Sequence, residues 1–398
     1  MRLSEPLISS GRVMLQSGRA LRPTDIEALN RRYPGLCVRI GDPILDSVIE
    51  FEDDAPEREV AFTAQRRIAD SMCQVRERFN ERASLRGTDF EAMHSAVDEM
   101  MRHLKGHATT AALLVRCLDS ESYLTMHTGN VFYLSILLGS ATRDYVTSER
   151  QRQTIARGLH SDFASDLAPL GVGAMFIDLG MLPLDDLITS NGPLSDADRQ
   201  AISEHPDVGA DMLPAGLSAV ARMIVRTHHE NFDGSGYPNR IPGDKVHVFT
   251  RLVRIADAFD AATAQRVYKK AKSPARTLWE MSAGPYRRFY DPHLMKAFCK
   301  LIQPFPIGAK IRLSDGRYAV VVRYNRRNPC APCVIIAFDP ANKPLPQSQI
   351  QGPLGLEDHP DLRLKSFQDE DLSYLYKTDV PDAPVPQMFR TMYEAAYP

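Results

Sequence analysis

Proline placement constrains this chain more than any other feature. It has 28 prolines in 398 residues; none falls between Pro56 and Pro169, and 13 fall from Pro304 to Pro398. Proline lacks the amide hydrogen that a helix interior needs, and its ring clashes with the preceding turn. Residues 57–168 can therefore be strongly helical, whereas the C-terminal stretch cannot.

Composition narrows the class further. Hydrophobic residues at 43% and charged residues at 25% fit a globular protein. The length predicts two or three domains at roughly 100–200 residues each. A formal charge of −2 argues against a partner held by bulk positive charge, so no nucleic-acid polymer is expected. The six cysteines are sparse and mostly in apolar settings, which fits a reducing compartment. Cys330-Ala-Pro-Cys333 has zinc-knuckle spacing but no further ligands nearby in sequence, so it reads as a loop between strands. Met1 to Gly11 lacks the apolar region of a secretory leader. The longest apolar run, Val131–Ala141, is too short to span a bilayer. A cytoplasmic location is expected.

Four regions follow from the patterning. Residues 1–56 read as a small N-terminal regulatory module: a strand at Val13–Leu15, a short helix around Ile26 to Tyr33, and a strand at Leu36–Ile40. Residues 57–118 read as connecting helices. In the first, Ala61, Ile68, Met72, Val75 and Phe79 share a face; in the second, Met93, Val97, Met100, Met101 and Leu104 do. The methionine-rich face suits core packing, with a dimer seam as the alternative. Residues 119–303 carry helical segments separated by turns and read as an all-α bundle. Residues 304–398 switch to a β-hairpin signal at Ile311–Tyr324, a third strand at Val334–Phe338, and a Pro-rich tail. The fold class is thus mainly α: a helical bundle with a small N-terminal α/β module and a C-terminal β-hairpin extension.

Eight of the eleven histidines lie between His94 and His229. Histidines and aspartates spaced along rigid elements are what borderline metals need. The strongest segment runs from His228 to Pro238, HHENFDGSGYP. Adjacent histidines on a helix point about 100° apart, so two can share one ion only near a helix end. Gly234 and Gly236 supply that end, and Pro238 stiffens the exit. Downstream, Leu252–Ala262 reads LVRIADAFDAA, an apolar helix with Asp257 embedded in it. A carboxylate there is costly unless paired or metal-bound.

These motifs, together with RVYKKA at Arg266–Ala271, resemble the HD-GYP family: metal-dependent, all-helical bacterial phosphodiesterases that hydrolyse cyclic di-GMP. The resemblance covers roughly residues 110–303. It implies metal ligands at His127, Asp178, His205, His228, His229 and Asp257, with Asp178 bridging two ions. It implies phosphate contacts from Arg266 and Lys269, which act in catalysis with Asp178. Gly236, Tyr237 and Pro238 stand at the family's GYP element, on the substrate side.

The departure lies in the motif that names the family. Where the pattern is His-Asp-x-Gly-Lys, this chain reads Ile177-Asp178-Leu179-Gly180-Met181. Asp178 remains; an imidazole and a cation are lost. One ion would keep Asp178, His205, His228 and His229, and the other only His127, Asp178 and Asp257. His160, in an insertion around Thr142 to Leu170, is a substitute ligand by position, and Tyr123 speaks against a third ion. The resemblance therefore implies one or two divalent transition metals (Fe, Mn or similar) and hydrolysis of cyclic di-GMP or a related cyclic dinucleotide. The alternative is an inactive cyclic di-GMP or metal-binding sensor that signals through protein partners. A second copy of the chain, as a homodimer, is a further candidate partner.

Overall fold

The protein was analysed as a computed structural model, which describes residues 2–3, 7–9, 12–16, 19–32, 40–41, 74, 77, 123–155, 165–184, 195–264, 271–325, 328–368 and 370–376. The chain divides into two compact units. One comprises 1–54, 273–279 and 299–398; the other comprises 55–272 and 280–298. The connecting helices expected at 57–118 lie outside the described residues apart from 74 and 77.

Near the N-terminus, β1 (Arg2–Leu3) pairs antiparallel with β4 (Ile40–Gly41), and β2 (Leu7–Ser9) with β3 (Arg12–Leu15). Helix α1 (Pro23–Arg32) begins on proline, whose missing amide hydrogen is no loss in a first turn. The expected strand over 13–15 and the helix are present; of the second strand, only Ile40 is described.

The helical unit is built around α2 (Tyr123–Ala141), which contains the longest apolar run of the sequence. Val131, Phe132, Leu134, Ile136 and Leu138 are all fully buried, so this helix is apolar around most of its circumference and runs through the core. Around it lie α3 (Arg143–Ile155), α4 (Ala168–Met175), a 3₁₀ turn at Leu179–Leu184, α5 (Asp196–Met212), α6 (Ala219–Thr227) and α7 (Val248–Thr263). Helix α7 packs along α2 and buries Phe249, Leu252, Ile255 and Phe259. Each such side chain contributes roughly 1.5–3 kcal/mol. Helix α5 starts at a reciprocal cap: Asp198 N–H donates to Ser195 Oγ, and Ser195 N–H donates to Asp198 Oδ2. Arg222 ties α6 back to α5 through the carbonyls of Ala210, Leu213 and Pro214. Helices α8 (Pro274–Ser282) and α9 (Pro292–Leu301) follow, each divided between the two units.

A buried network fixes α7 relative to its neighbours. Arg251 donates to Asp291 Oδ2 at 2.9 Å, Val246 O at 2.7 Å and Asp244 O at 2.9 Å, and it pairs with Glu149 at 2.9 Å. Tyr145 OH also donates to Asp291.

The C-terminal stretch forms more sheet than its sequence signals. Strands β5 (Lys310–Leu313) and β6 (Tyr318–Arg323) make the expected hairpin, and β7 (Cys333–Phe338) the expected third strand. The proline-rich region supplies three more: β8 (Gln351–Gly355), β9 (Leu364–Phe367) and β10 (Glu370–Asp371). The result is one six-stranded antiparallel sheet, ordered β10-β9-β5-β6-β7-β8. The expected hairpin and third strand are present, and three further strands arise in the stretch read as a Pro-rich tail. The reason is local: β8 contains Pro353 between Gly352 and Leu354 and lies at an edge, where proline is tolerated. Strands β9 and β10 are too short for a clear period-two pattern. Cys330, in the loop between β6 and β7, and Cys333, which opens β7, are both buried and free. No helix among the described residues is long and apolar enough to cross a membrane.

Candidate metal centre

Five elements bring the six expected ligand residues together: His127 from the first turns of α2, Asp178 from the bend before the 3₁₀ turn, His205 from α5, His228 and His229 at the end of α6, and Asp257 from α7. All six are largely enclosed, with His228 fully buried and the His229 side chain the most open at 20%.

Three histidines form the tighter half. One ring nitrogen from each of His205, His228 and His229 lies within 4.8 Å of the others. The backbone fixes which nitrogens are free. His205 Nδ1 meets Ile202 O at 2.5 Å, and His228 Nδ1 meets Val225 O at 2.7 Å. A carbonyl can only accept, so both Nδ1 atoms carry the hydrogen, and in the neutral rings both Nε2 atoms present lone pairs. Those two Nε2 atoms face each other at 3.1 Å. Two lone pairs at that distance repel unless a cation sits against both, so the donor set fits a metal.

Pro206 explains how His205 obtains its acceptor. In a regular helix the amide of residue 206 would donate to Ile202 O. Proline has no amide hydrogen, so that carbonyl is left for the imidazole of His205. At the end of α6, Val225 O belongs to the last turn, where carbonyls lack intrahelical donors, and His228 satisfies it from the C-cap position.

The second half gathers carboxylates around His127. Its Nδ1 donates to Asp260 Oδ2 at 2.7 Å, and Asn130 Nδ2 donates to the other oxygen of Asp260 at 2.8 Å. His127 Nε2 then faces Asp257 Oδ1 at 3.1 Å and Asp178 Oδ2 at 3.5 Å. Asp257 and Asp260, three residues apart on α7, share one face. Asp257 Oδ2 lies 3.6 Å from His229 Nδ1.

Asp178 connects the halves. Oδ2 is the oxygen near His127, and Oδ1 lies 3.6 Å from His205 Nε2. One carboxylate thus offers one oxygen to each cluster. Gly180 makes this approach feasible: a β-carbon there would overlap the backbone of His205 and Gly209. Beside Asp178, Ile177 is fully buried and Met181 nearly so; neither offers a nitrogen or oxygen ligand.

The electrostatics follow burial and crowding. Burial, then the neighbouring His205, holds His228 down to about 4. Burial and His228 likewise hold His229 well below the ordinary range. Burial alone would raise the Asp257 carboxyl, but its close contact with His127 and the proximity of His229 and Arg254 bring it well below the usual carboxylate range. At neutral pH the centre thus combines neutral imidazoles at His228 and His229 with an ionised Asp257, the states that ligate metal.

The GYP element supports His229 from behind. Tyr237 stacks on the His229 ring at 4.7 Å, and its amide donates to His229 O. A β-carbon on Gly236 would overlap His229 O and the amide of Asn231. The Tyr237–Pro238 peptide bond is cis. Buried Glu230 holds the following loop through the amides of Asn239 and Ile241. Of the remaining expected residues, Arg266, Lys269 and His160 lie outside the described residues, as does the side chain of Tyr123. Asp260 and Arg254 were not anticipated. The repeated acid three residues after Asp257 in IADAFDA was the available signal for Asp260; Arg254 had none.

Residues 147–294 match the HD domain family. A cyclic di-GMP phosphodiesterase of Pseudomonas aeruginosa is 28% identical over 269 residues, covering 66% of this chain and 60% of that protein. A cyclic di-GMP phosphodiesterase of Vibrio cholerae is 29% identical over 174 residues, covering 42% of this chain and 34% of that protein. A 3′3′-cGAMP-specific phosphodiesterase of the same organism is 37% identical over 123 residues, covering 30% and 23% respectively. The chain thus spans 60% or less of the length of these relatives.

Proposed function

We propose that this chain, which belongs to the HD domain family and is of HD-GYP type, is a metal-dependent phosphodiesterase that hydrolyses cyclic di-GMP or a closely related cyclic dinucleotide. The observation that carries this reading is the position of Asp178, with one oxygen 3.5 Å from His127 and the other 3.6 Å from His205. A carboxylate shared between two ligand clusters suits a pair of ions, and phosphodiester hydrolysis is chemistry that such a pair serves. The names of the relatives support the substrate class.

In this reading His205, His228, His229 and Asp178 hold one divalent ion, iron or manganese by ligand type, and His127, Asp178 and Asp257 hold a second, weaker one. When bound, such ions supply Lewis acidity for water at neutral pH and positive charge for the phosphoryl oxygens. The chain's own residues do the rest. Asp260 keeps the His127 hydrogen on Nδ1 and so aims Nε2 inward. Tyr237 limits movement of the His229 ring. Arg266 and Lys269 are assigned to the phosphate, and Gly236, Tyr237 and Pro238 to the substrate side. The reading further sets the protein in the cytoplasm, with signalling proteins or a second copy as candidate partners.

A second reading has its own observation. Ile177 and Met181 are buried apolar side chains at the positions where the family pattern has an imidazole and an ammonium. A protein that binds cyclic di-GMP without turning it over fits that loss. The two are separated by assaying cyclic di-GMP hydrolysis by the Mn²⁺-loaded wild type beside Ile177→His/Met181→Lys. Turnover by the wild type supports the enzyme; turnover by the repaired variant alone makes the native chain a sensor.

A further inference from the structure

Two arginines one turn apart on α7 are used in different ways. Arg251 is saturated: its Nε, Nη1 and Nη2 all donate to acceptors in the interior. Arg254 is hydrogen-bonded only at its base. Its Nε donates to Asn231 Oδ1 at 2.9 Å, and buried Asn231 is itself fixed by donating to Ser235 Oγ. The guanidinium carbon lies 5.5 Å from the centre of the Tyr290 ring, which fills one side. The nearest carboxylate oxygen, Asp257 Oδ2, is 3.6 Å from Nη1, beyond hydrogen-bond reach. Among the described residues, the Nη donors therefore have no acceptor at hydrogen-bond distance, although the side chain is only 16% exposed.

The position matters as much as the unused donors. Arg254 stands one turn before Asp257, and its charge acts on His229 and Tyr237 as well as on Asp257. A guanidinium anchored through Nε keeps its Nη fork preorganised, which favours bidentate contact with phosphate oxygens. The 3.6 Å ion pair with Asp257 uses none of the Nη hydrogens in a hydrogen bond. Meanwhile the site lacks a cation at Met181.

We propose that Arg254 is a phosphate-binding residue of this site, supplying from α7 the positive charge absent at position 181. The ligand class is a phosphodiester or phosphate monoester anion placed against the His229 and Asp257 side of the centre. This assignment rests on the reading of the centre as a metal-dependent cyclic dinucleotide site.

The test uses the full chain loaded with Mn²⁺, with cyclic di-GMP and inorganic phosphate as separate probes in calorimetric titrations. Arg254→Gln is expected to weaken both at least tenfold while metal content and thermal midpoint stay at wild-type values, and Arg254→Lys to retain an intermediate affinity. Wild-type affinity for both probes in Arg254→Gln overturns the proposal. So does a parallel loss of metal in Arg254→Lys, because Arg254 is then a support for Asp257. If Arg254→Gln fails to fold, the affinity of Arg254→Lys at full metal content decides: wild-type affinity counts against the proposal, and a reduced one supports it. If the wild type binds phosphate in an Arg254-dependent way but not cyclic di-GMP, the substrate reading falls and the role of Arg254 stands.

Discussion

His205 Nε2 and His228 Nε2 face each other at 3.1 Å with both Nδ1 hydrogens committed to backbone carbonyls. With both rings neutral, neither Nε2 can donate to the other, so the arrangement fits a cation between them. His228→Ala is therefore expected to remove the metal held by the three-histidine group and to abolish stabilisation by added Mn²⁺ or Fe²⁺. Elemental analysis together with thermal denaturation at increasing metal concentration checks this; a variant that keeps full metal content places the ion elsewhere.

Asp260 fixes the hydrogen of His127 on Nδ1 and is itself held by Asn130. Asp260→Asn is close in shape but can present an amide hydrogen to that nitrogen. We expect metal affinity at the His127 side to fall about 10–100-fold, the usual scale for a residue that orients a ligand. The metal of the three-histidine group should remain. Equilibrium dialysis would resolve the two classes of site, and equal weakening of both would sink this assignment.

Much of the centre was legible in the sequence because its ligands sit in local motifs. His228 and His229 fall where a helix must stop before Gly234 and Gly236, and Asp257 is an acid in an apolar helix. What was not legible depends on three-dimensional proximity. Asp260 gains its role from a residue more than a hundred positions away, and Arg254 from how its neighbours leave its donors. Pro206 was visible as a neighbour of a ligand, but its effect, freeing Ile202 O for His205, needs the helix to be seen. In the C-terminal sheet, the hairpin announced itself through the Ser314–Arg317 turn, while β8, β9 and β10 are too short or too rich in glycine and proline to register.

The buried Arg251 network predicts a stability effect separate from the centre. Arg251→Ala leaves Asp291, 2% exposed, without its cationic partner, although Tyr145 OH and the amide of His293 still donate to it. Breaking a buried pair in this way costs about 3–5 kcal/mol. Chemical denaturation should show that loss; a change below about 1 kcal/mol would mean that water replaces the guanidinium at little cost.

The pH dependence of the metal-free protein follows from His228. Its folded value is about 4, against 6.5 ordinarily. Because the folded value is lowered, the unfolded chain takes up the proton first as pH falls. Stability is therefore full above pH 6.5 and declines from about 6.5 towards 4. The slope is about 1.4 kcal/mol per pH unit for one proton. Thermal midpoints of chelator-treated wild type should fall through that window, and His228→Gln should fall less. Equal slopes would contradict the burial argument.

Gly180 allows the backbone of the 3₁₀ turn to meet that of α5 at His205 and Gly209. Gly180→Ala is expected to push Asp178 away from His205 and to lower both metal content and stability, whereas Gly216→Ala, with open space around its added methyl, should do neither. Matching behaviour of the two variants in metal analysis and melting experiments would contradict this role for Gly180.

The most direct measurement is cyclic di-GMP turnover by the wild-type chain before chelation, after chelation, and after Mn²⁺ or Fe²⁺ is restored, with products separated by chromatography. The account predicts a linear dinucleotide or mononucleotide product that disappears on chelation and returns with metal. Absence of product from metal-loaded wild type, or turnover indifferent to chelation, would contradict it.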